Sequence, residues 1–161
     1  MEVLLKGLNV EEFDEEKESL LTGACTLSLN HYSICPNPEL SYGVGPHSDI
    51  SSITILLQDD VGGLYVRATR AAQWILGDTL QIASNDRYKS IEHCVIPNAA
   101  KNRVFVPIFA SPKAEGVVGP LPEVLKNGEK PIHKDVPWSD YMKHFYSKGH
   151  DGKKTIEFGK I

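Results

Sequence analysis

Cysteine is scarce in this sequence: three in 161 residues, and no two in a C-x-x-C spacing. Cys25, Cys35 and Cys94 are odd in number, so no disulfide framework is expected and a reducing compartment is. Positive charge is not in excess either. With 17 Lys and Arg against 21 Asp and Glu, the net charge is −4, which argues against nucleic acid or an anionic membrane surface as partner. No apolar run approaches the roughly 20 residues of a membrane span, and no basic-then-apolar leader opens the chain. The expected location is the cytosol. Internal repeats and low-complexity segments are absent too. What is present is ordinary for a globular protein, 41% hydrophobic and 24% charged, and residues 1–161 suit one domain with a substantial core.

Met1-Glu2-Val3-Leu4-Leu5-Lys6 opens directly in helix-like sequence, as a chain entered partway through a larger protein would. The apolar stripe Val3, Leu4, Leu5, Leu8, resumed by Phe13, Leu20 and Leu21, predicts a helix over residues 1–21 that precedes the core, broken near Asn9. The acidic run Glu11–Glu18 is expected to be a solvated face. From Cys25 to Tyr32 polar and apolar residues alternate as in a half-buried strand, until Pro36 and Pro38 stop it. Ser51–Leu57 and Leu64–Val66 predict a hairpin around the Asp59–Gly63 turn. Further strands are expected at Gln73-Trp74-Ile75, Thr79–Ser84, Tyr88–Ile96 and Arg103–Phe109, then a short helix at Pro122–Lys126 closed by Asn127-Gly128. Trp138, Tyr141, Met142, Phe145 and Tyr146 share one face of a final helix, for which core packing is the expectation. Many short strands flanked by helices predict a mainly β protein with an antiparallel double-sheet, jelly-roll core.

The chemistry gathers around Gly43 to Val66. His47-Ser48-Asp49 is an H-x-D pair, and in extended backbone positions i and i+2 point to one side. His93 follows 44 residues after Asp49. Two histidines and one carboxylate form the facial triad of non-haem Fe(II) oxygenases, with coordination positions left open. Arg103 comes ten residues after His93, on a strand expected to pair with that of His93 across a short loop. Its planar fork suits a carboxylate. Tyr32, in Asn30-His31-Tyr32, is a candidate phenol donor to the same carboxylate.

The segments LNHYSICPNPEL, GPHSDISSITILLQDDVGGLYV, SNDRYKSIEHCV, NRVFVPIF and NGEKPIHKDVPWSDYMKHF resemble the plant 2-oxoglutarate- and Fe(II)-dependent dioxygenases. Within that family they are most similar to the feruloyl-CoA/p-coumaroyl-CoA ortho-hydroxylases of coumarin biosynthesis. The resemblance implies a double-stranded β-helix core with Fe(II) held by His47, Asp49 and His93. It implies 2-oxoglutarate and O2 as co-substrates, ascorbate as reductant, and a far carboxylate held by Arg103 with help from Tyr32, beside Asn30 and Phe105. A hydroxycinnamoyl-CoA thioester would be the substrate, hydroxylated on the ring beside its acyl chain. Three departures stand against the family pattern. Phe105 replaces the serine of R-x-S. About a dozen residues, a turn and one strand, are missing where Trp74-Ile75 runs into Leu76-Gly77-Asp78. The N-terminal half of the pattern is absent. Two readings follow: a hydroxylase, or a non-catalytic descendant that keeps metal binding without turnover. A third, a metal-binding domain of another class such as a cupin, is disfavoured by Arg103 and the flanking motifs. The residues leave the oligomeric state open.

Overall fold

The computed structural model describes residues 1–67, 74–126, 128–148 and 152–161. Gln73, expected to start a strand, and Asn127, expected to close a helix, lie outside the described residues. Among the described residues ten strands form two facing antiparallel sheets and a small ribbon. β1 (Ala24–Leu27), β2 (Asn30–Tyr32), β4 (Ile53–Gln58), β6 (Trp74–Leu76) and β8 (Arg103–Ser111) make the larger sheet, in which β8 pairs with β1, β2 and β4, and β4 pairs with β6. β3 (Val44–His47), β7 (His93–Val95) and β5 (Leu64–Val66) make the smaller one, in that order. β9 (Val117–Val118) and β10 (Val136–Pro137) pair separately. The jelly-roll expectation agrees with this arrangement. Between the sheets lie Leu56, Ile75, Val95 and Phe105, with Tyr32, Val44 and Leu64 packed on them.

Several local expectations are corrected. The N-terminal helix does break near Asn9, as expected, but residues 7–14 are not helical, so it forms two helices, α1 (Glu2–Lys6) and α2 (Glu15–Thr22): Asn9 takes a left-handed φ of 60° and Asp14 caps a fresh start by accepting from Lys17 N at 2.9 Å. The strand predicted from Cys25 to Tyr32 is split. β1 pairs with one end of β8 and β2 with the other, and Ser28 N donates to the carbonyl of Pro107. Proline has no N–H to return, so the ladder lapses there.

Thr79–Ser84, expected as a strand, lies almost wholly in α3 (Asp78–Ala83), whose six residues are all buried. Its polar–apolar alternation carries no face information, because the polar side chains are buried and bonded as well. Thr79 Oγ1 donates to Ile50 O at 2.7 Å, and Gln81 accepts from Ser90 N at 2.8 Å. Gly77 enters this helix so close to the Ser51 carbonyl that a side chain would collide with it. The predicted helix at Pro122–Lys126 is a turn held by i→i+3 bonds, such as Leu125 N to Pro122 O.

The predicted hairpin is a crossover instead. The glycine turn forms, with φ of 76° at Gly62 and 93° at Gly63, yet β4 and β5 belong to opposite sheets. β7 and β8 are likewise in different sheets, so His93 and Arg103 are not hairpin neighbours. Tyr88–Ile96 contributes only the three residues of β7, and Arg103–Phe109 extends to Ser111. Two more apolar clusters support the sheets from outside. α1, α2, Ala83, Leu121 and Val124 make one. Ile82, Val118, Val136 and Ile156 make the other with Trp138 and Tyr141 of α4 (Trp138–Lys148). Among the described residues no helix is long and apolar enough to cross a membrane.

Candidate metal centre

The site begins with a bulge. β3 and β7 pair Val44 with Val95 and then His47 with His93, so two residues of β3, Gly45 and Pro46, oppose Cys94 alone. Such a bulge bends its strand and re-aims the side chain that follows. The His47 and His93 rings end 4.3 Å apart, tilted by 51°. Asp49 lies just beyond β3, and its Oδ1 is 3.5 Å from His47 Nε2 and 3.6 Å from His93 Nε2. All three residues are buried, and one ligand atom of each lies within 4.8 Å of the others. The structure brings together the triad that the spacing predicted.

The protonation states follow from the hydrogen bonds. His47 Nδ1 faces Gly45 O at 2.8 Å and His93 Nδ1 faces Ile91 O at 3.0 Å. A carbonyl only accepts, so each Nδ1 carries a proton and each ring turns its Nε2 toward Asp49, as a lone pair when the ring is neutral and as a second donor when it is protonated. Thr54 Oγ1 donates to Asp49 Oδ2 at 2.5 Å and orients the carboxylate. Burial pushes the Asp49 pKa up, but the His47 hydrogen bond, the His93 charge and Thr54 outweigh it and hold it below the usual value. Burial, with the charge of His47, pulls His93 down despite Asp49. For His47 burial pulls down, and the bonds to Asp49 and Gly45 turn the net shift upward. An ionised carboxylate and imidazole lone pairs converging at this distance repel unless a proton or a cation sits among them. The donor set fits a divalent transition metal.

The other predicted residues share the inner face of the larger sheet. Tyr32 stands opposite Arg103 and Asn30 opposite Phe105 across β2 and β8. Phe105 lies flat against Tyr32, with centroids 5.5 Å apart and planes 4° from parallel. Arg103 is buried, and its Nη2 donates to Gln58 Oε1 at 3.1 Å. Its Nε and Nη1 have no hydrogen-bond partner among the described residues. A buried cation with unpaired donors suits a carboxylate in charge. Access is another matter. A cavity of about 210 Å³ beside the triad is lined by Asn30, Tyr32, Thr54 and Phe105, and Arg103 is not part of its wall.

A second cavity, of about 350 Å³, reaches His47 and Asp49 from the α4 side. Met142, Phe145 and Tyr146 line it with Phe109 and Trp138. The core expectation for the α4 stripe is therefore corrected in part: Trp138 and Tyr141 are buried, whereas Tyr146 is 75% exposed. Sequence reasoning missed these residues, and Thr54 and Gln58 with them. A clue was there for α4, since its aromatic face is broader than one packing contact requires.

Comparison with known proteins agrees with this geometry. The profile of the 2OG-Fe(II) oxygenase superfamily matches residues 23–112. Feruloyl CoA ortho-hydroxylase 1 of Arabidopsis thaliana is 54% identical over 173 aligned positions, covering 100% of this chain and 48% of that protein. A bi-functional coumaroyl CoA and feruloyl CoA ortho-hydroxylase of Ipomoea batatas is 54% identical, with the same 100% and 48% coverage. The chain spans about half the length of the curated relatives it matches. The alignment with the Arabidopsis protein is about a dozen positions longer than the chain itself. Among solved structures, that of JOX2 in complex with 2OG, Fe and JA superposes with a TM-score of 0.87 at 33% identity, covering 100% of this chain and 51% of that one. Residue pattern, fold and relatives agree: the chain belongs to the 2OG-Fe(II) oxygenase superfamily.

Proposed function

We propose that this chain is the metal-binding half of a 2-oxoglutarate-dependent hydroxylase acting on an aromatic acyl-CoA of the feruloyl or p-coumaroyl type. The observation that carries the reading is the convergence of His47, Asp49 and His93 with both Nδ1 atoms tied to backbone carbonyls. His47, Asp49 and His93 would hold Fe(II), and bound iron with 2-oxoglutarate and O2 would supply the oxidising chemistry. The protein's own part is geometric. Gly45 and Ile91 fix the imidazole tautomers, and Thr54 keeps one oxygen of Asp49 occupied so that the other faces the histidines. The smaller cavity, between Tyr32 and the triad, is the place for the oxo acid. The larger one would take the aryl end of the substrate against Phe145, Tyr146 and Met142 of α4, leaving the CoA moiety outside. Its volume of about 350 Å³ is at the small end of ligand pockets, in the range of a substituted ring. The substrate class comes from the ortho-hydroxylase relatives.

One observation favours the second reading, metal binding without turnover: a phenyl ring, not a hydroxyl, stands beside Arg103. Anaerobic titration with Fe(II) and then 2-oxoglutarate separates the two. Growth of the weak visible charge-transfer band of the chelate, and its loss in Arg103→Ala, would support the hydroxylase. Assays with feruloyl-CoA and p-coumaroyl-CoA then test turnover. Iron uptake with no band at any 2-oxoglutarate concentration would leave only the metal site.

A further inference from the structure

Three observations meet at Phe105. Arg103 is 1% exposed, and two of its N–H donor groups have no acceptor among the described residues. Asp59, whose charge acts on it, has its oxygens engaged by the backbone amides of Val61 and Val104. The guanidinium carbon lies 4.5 Å from the Phe105 ring centroid and 5.6 Å from that of Tyr32, so the aromatic pair supplies the cation's contact on that side. Finally, Tyr32 and Phe105 themselves wall the cavity that holds the triad, and Arg103 stands outside that wall.

We propose that Phe105, held flat against Tyr32, is a cap over the Arg103 guanidinium that sets this chain's affinity for a dicarboxylate. The ring lies against the guanidinium and also walls the triad's cavity, the side from which a carboxylate bound at the metal would have to arrive. Binding must first move the ring off the cation and break its stack with Tyr32, so the cap lowers affinity without removing the cation. A 2-oxo acid can still meet the metal with its near end, while its far carboxylate competes with the ring for Arg103. The proposal rests on the reading above that this cavity takes 2-oxoglutarate.

The test uses the full chain loaded with Mn(II), which occupies an Fe(II) site without redox chemistry, and 2-oxoglutarate binding measured by calorimetry. Phe105→Ser is expected to bind at least tenfold more tightly than the parent, and adding Arg103→Met should abolish the gain. Phe105 packs with Leu56, Ile75 and Val95, so Phe105→Val, which keeps an apolar strand-forming residue there, is measured in parallel in case the serine variant fails to fold. Equal affinity in the parent and the folded variants overturns the cap and leaves the dicarboxylate site standing. A gain that persists without Arg103 also overturns it. No 2-oxoglutarate binding in any variant, with Mn(II) bound in all, overturns the dicarboxylate reading and the cap together.

Discussion

A single hydroxyl orients the carboxylate at the centre of the site. Thr54 donates to Asp49 Oδ2 from one residue into β4, and Thr54→Val removes that donor while nearly keeping the shape. Loss of such an outer partner typically weakens a metal site 10–100-fold, and Mn(II) titration of Thr54→Val is expected to show about a tenfold loss. Asp49→Ala and His93→Ala should lose measurable Mn(II) binding altogether while keeping the parent's circular dichroism. Retained binding in either would remove that residue from the triad. At this scale the sequence was readable where chemistry demands particular residue types at a particular spacing. His47, Asp49 and His93 could be singled out, because few side chains are ligands and an H-x-D spacing faces one way, but that spacing is common by chance and it is the flanking motifs that give it weight. Thr54 and Gln58 carry no such mark. Threonine in a strand is unremarkable by composition, and only the register that sets it beside Asp49 gives it a task.

Elements were legible when one face met water and illegible when none did. The alternation of β4 survives as buried Thr54 and Leu56 against exposed Ile55 and Leu57, and the final helix was plain from its 3.6-residue spacing. The buried α3 has no solvent face, so its pattern suggested a strand. Pairing was harder to read than element type, since a glycine turn that closes a hairpin and one that crosses between sheets use the same residues. The short β6 bears on this scale too. It covers β4 at Ile53, Thr54 and Ile55. Its end passes through Gly77 into α3, with Gly77 N bonded to Ser52 O and Asp78 N to Asp49 O. Gly77→Ala would drive a methyl into the Ser51 carbonyl and push β6 and α3 away from the Asp49 loop. We expect a loss of roughly 2–3 kcal/mol, within the usual range for overpacking, read as a lower urea midpoint at unchanged slope. An unchanged midpoint would show that the loop yields freely.

For the molecule as a whole, the loop after α3 is a joint between the sheets and the C-terminal segment. Asn85 and Asp86 both take left-handed φ, 50° and 70°, which these two residue types tolerate best. Asn85 Oδ1 accepts from Ile132 N at 2.7 Å. Asp86 accepts from Gln81 at 2.8 Å, His133 at 2.7 Å and Lys89 at 2.8 Å. Burial pushes the Asp86 pKa up, yet Lys89, His133 and Gln81 outweigh it and hold the group well below the usual carboxylate range. A depressed folded pKa means stability that is complete above about pH 4, the unfolded value, and is lost as pH falls toward the folded one. Asp86→Asn is expected to cost about 1–3 kcal/mol at pH 7, with the gap to the parent closing below about pH 4 in pH-dependent urea melts. A gap that stays constant with pH would contradict this assignment.

The bulge that brings His47 opposite His93 has a mechanical side as well. Of the three candidate ligands, His47 sits on β3, His93 on β7, and Asp49 heads the loop and holds the first residue of α3 by its carbonyl. An ion at that point is a cross-link tying the smaller sheet to the buried helix and so to both outer clusters. An ion that binds only the folded state adds about 2.7 kcal/mol at a hundredfold excess over its Kd. Chelator dialysis should therefore lower Tm and hasten proteolysis, and Asp49→Ala should erase both differences. The melting curve of this protein becomes a gauge of its metal occupancy, readable with no substrate in the tube.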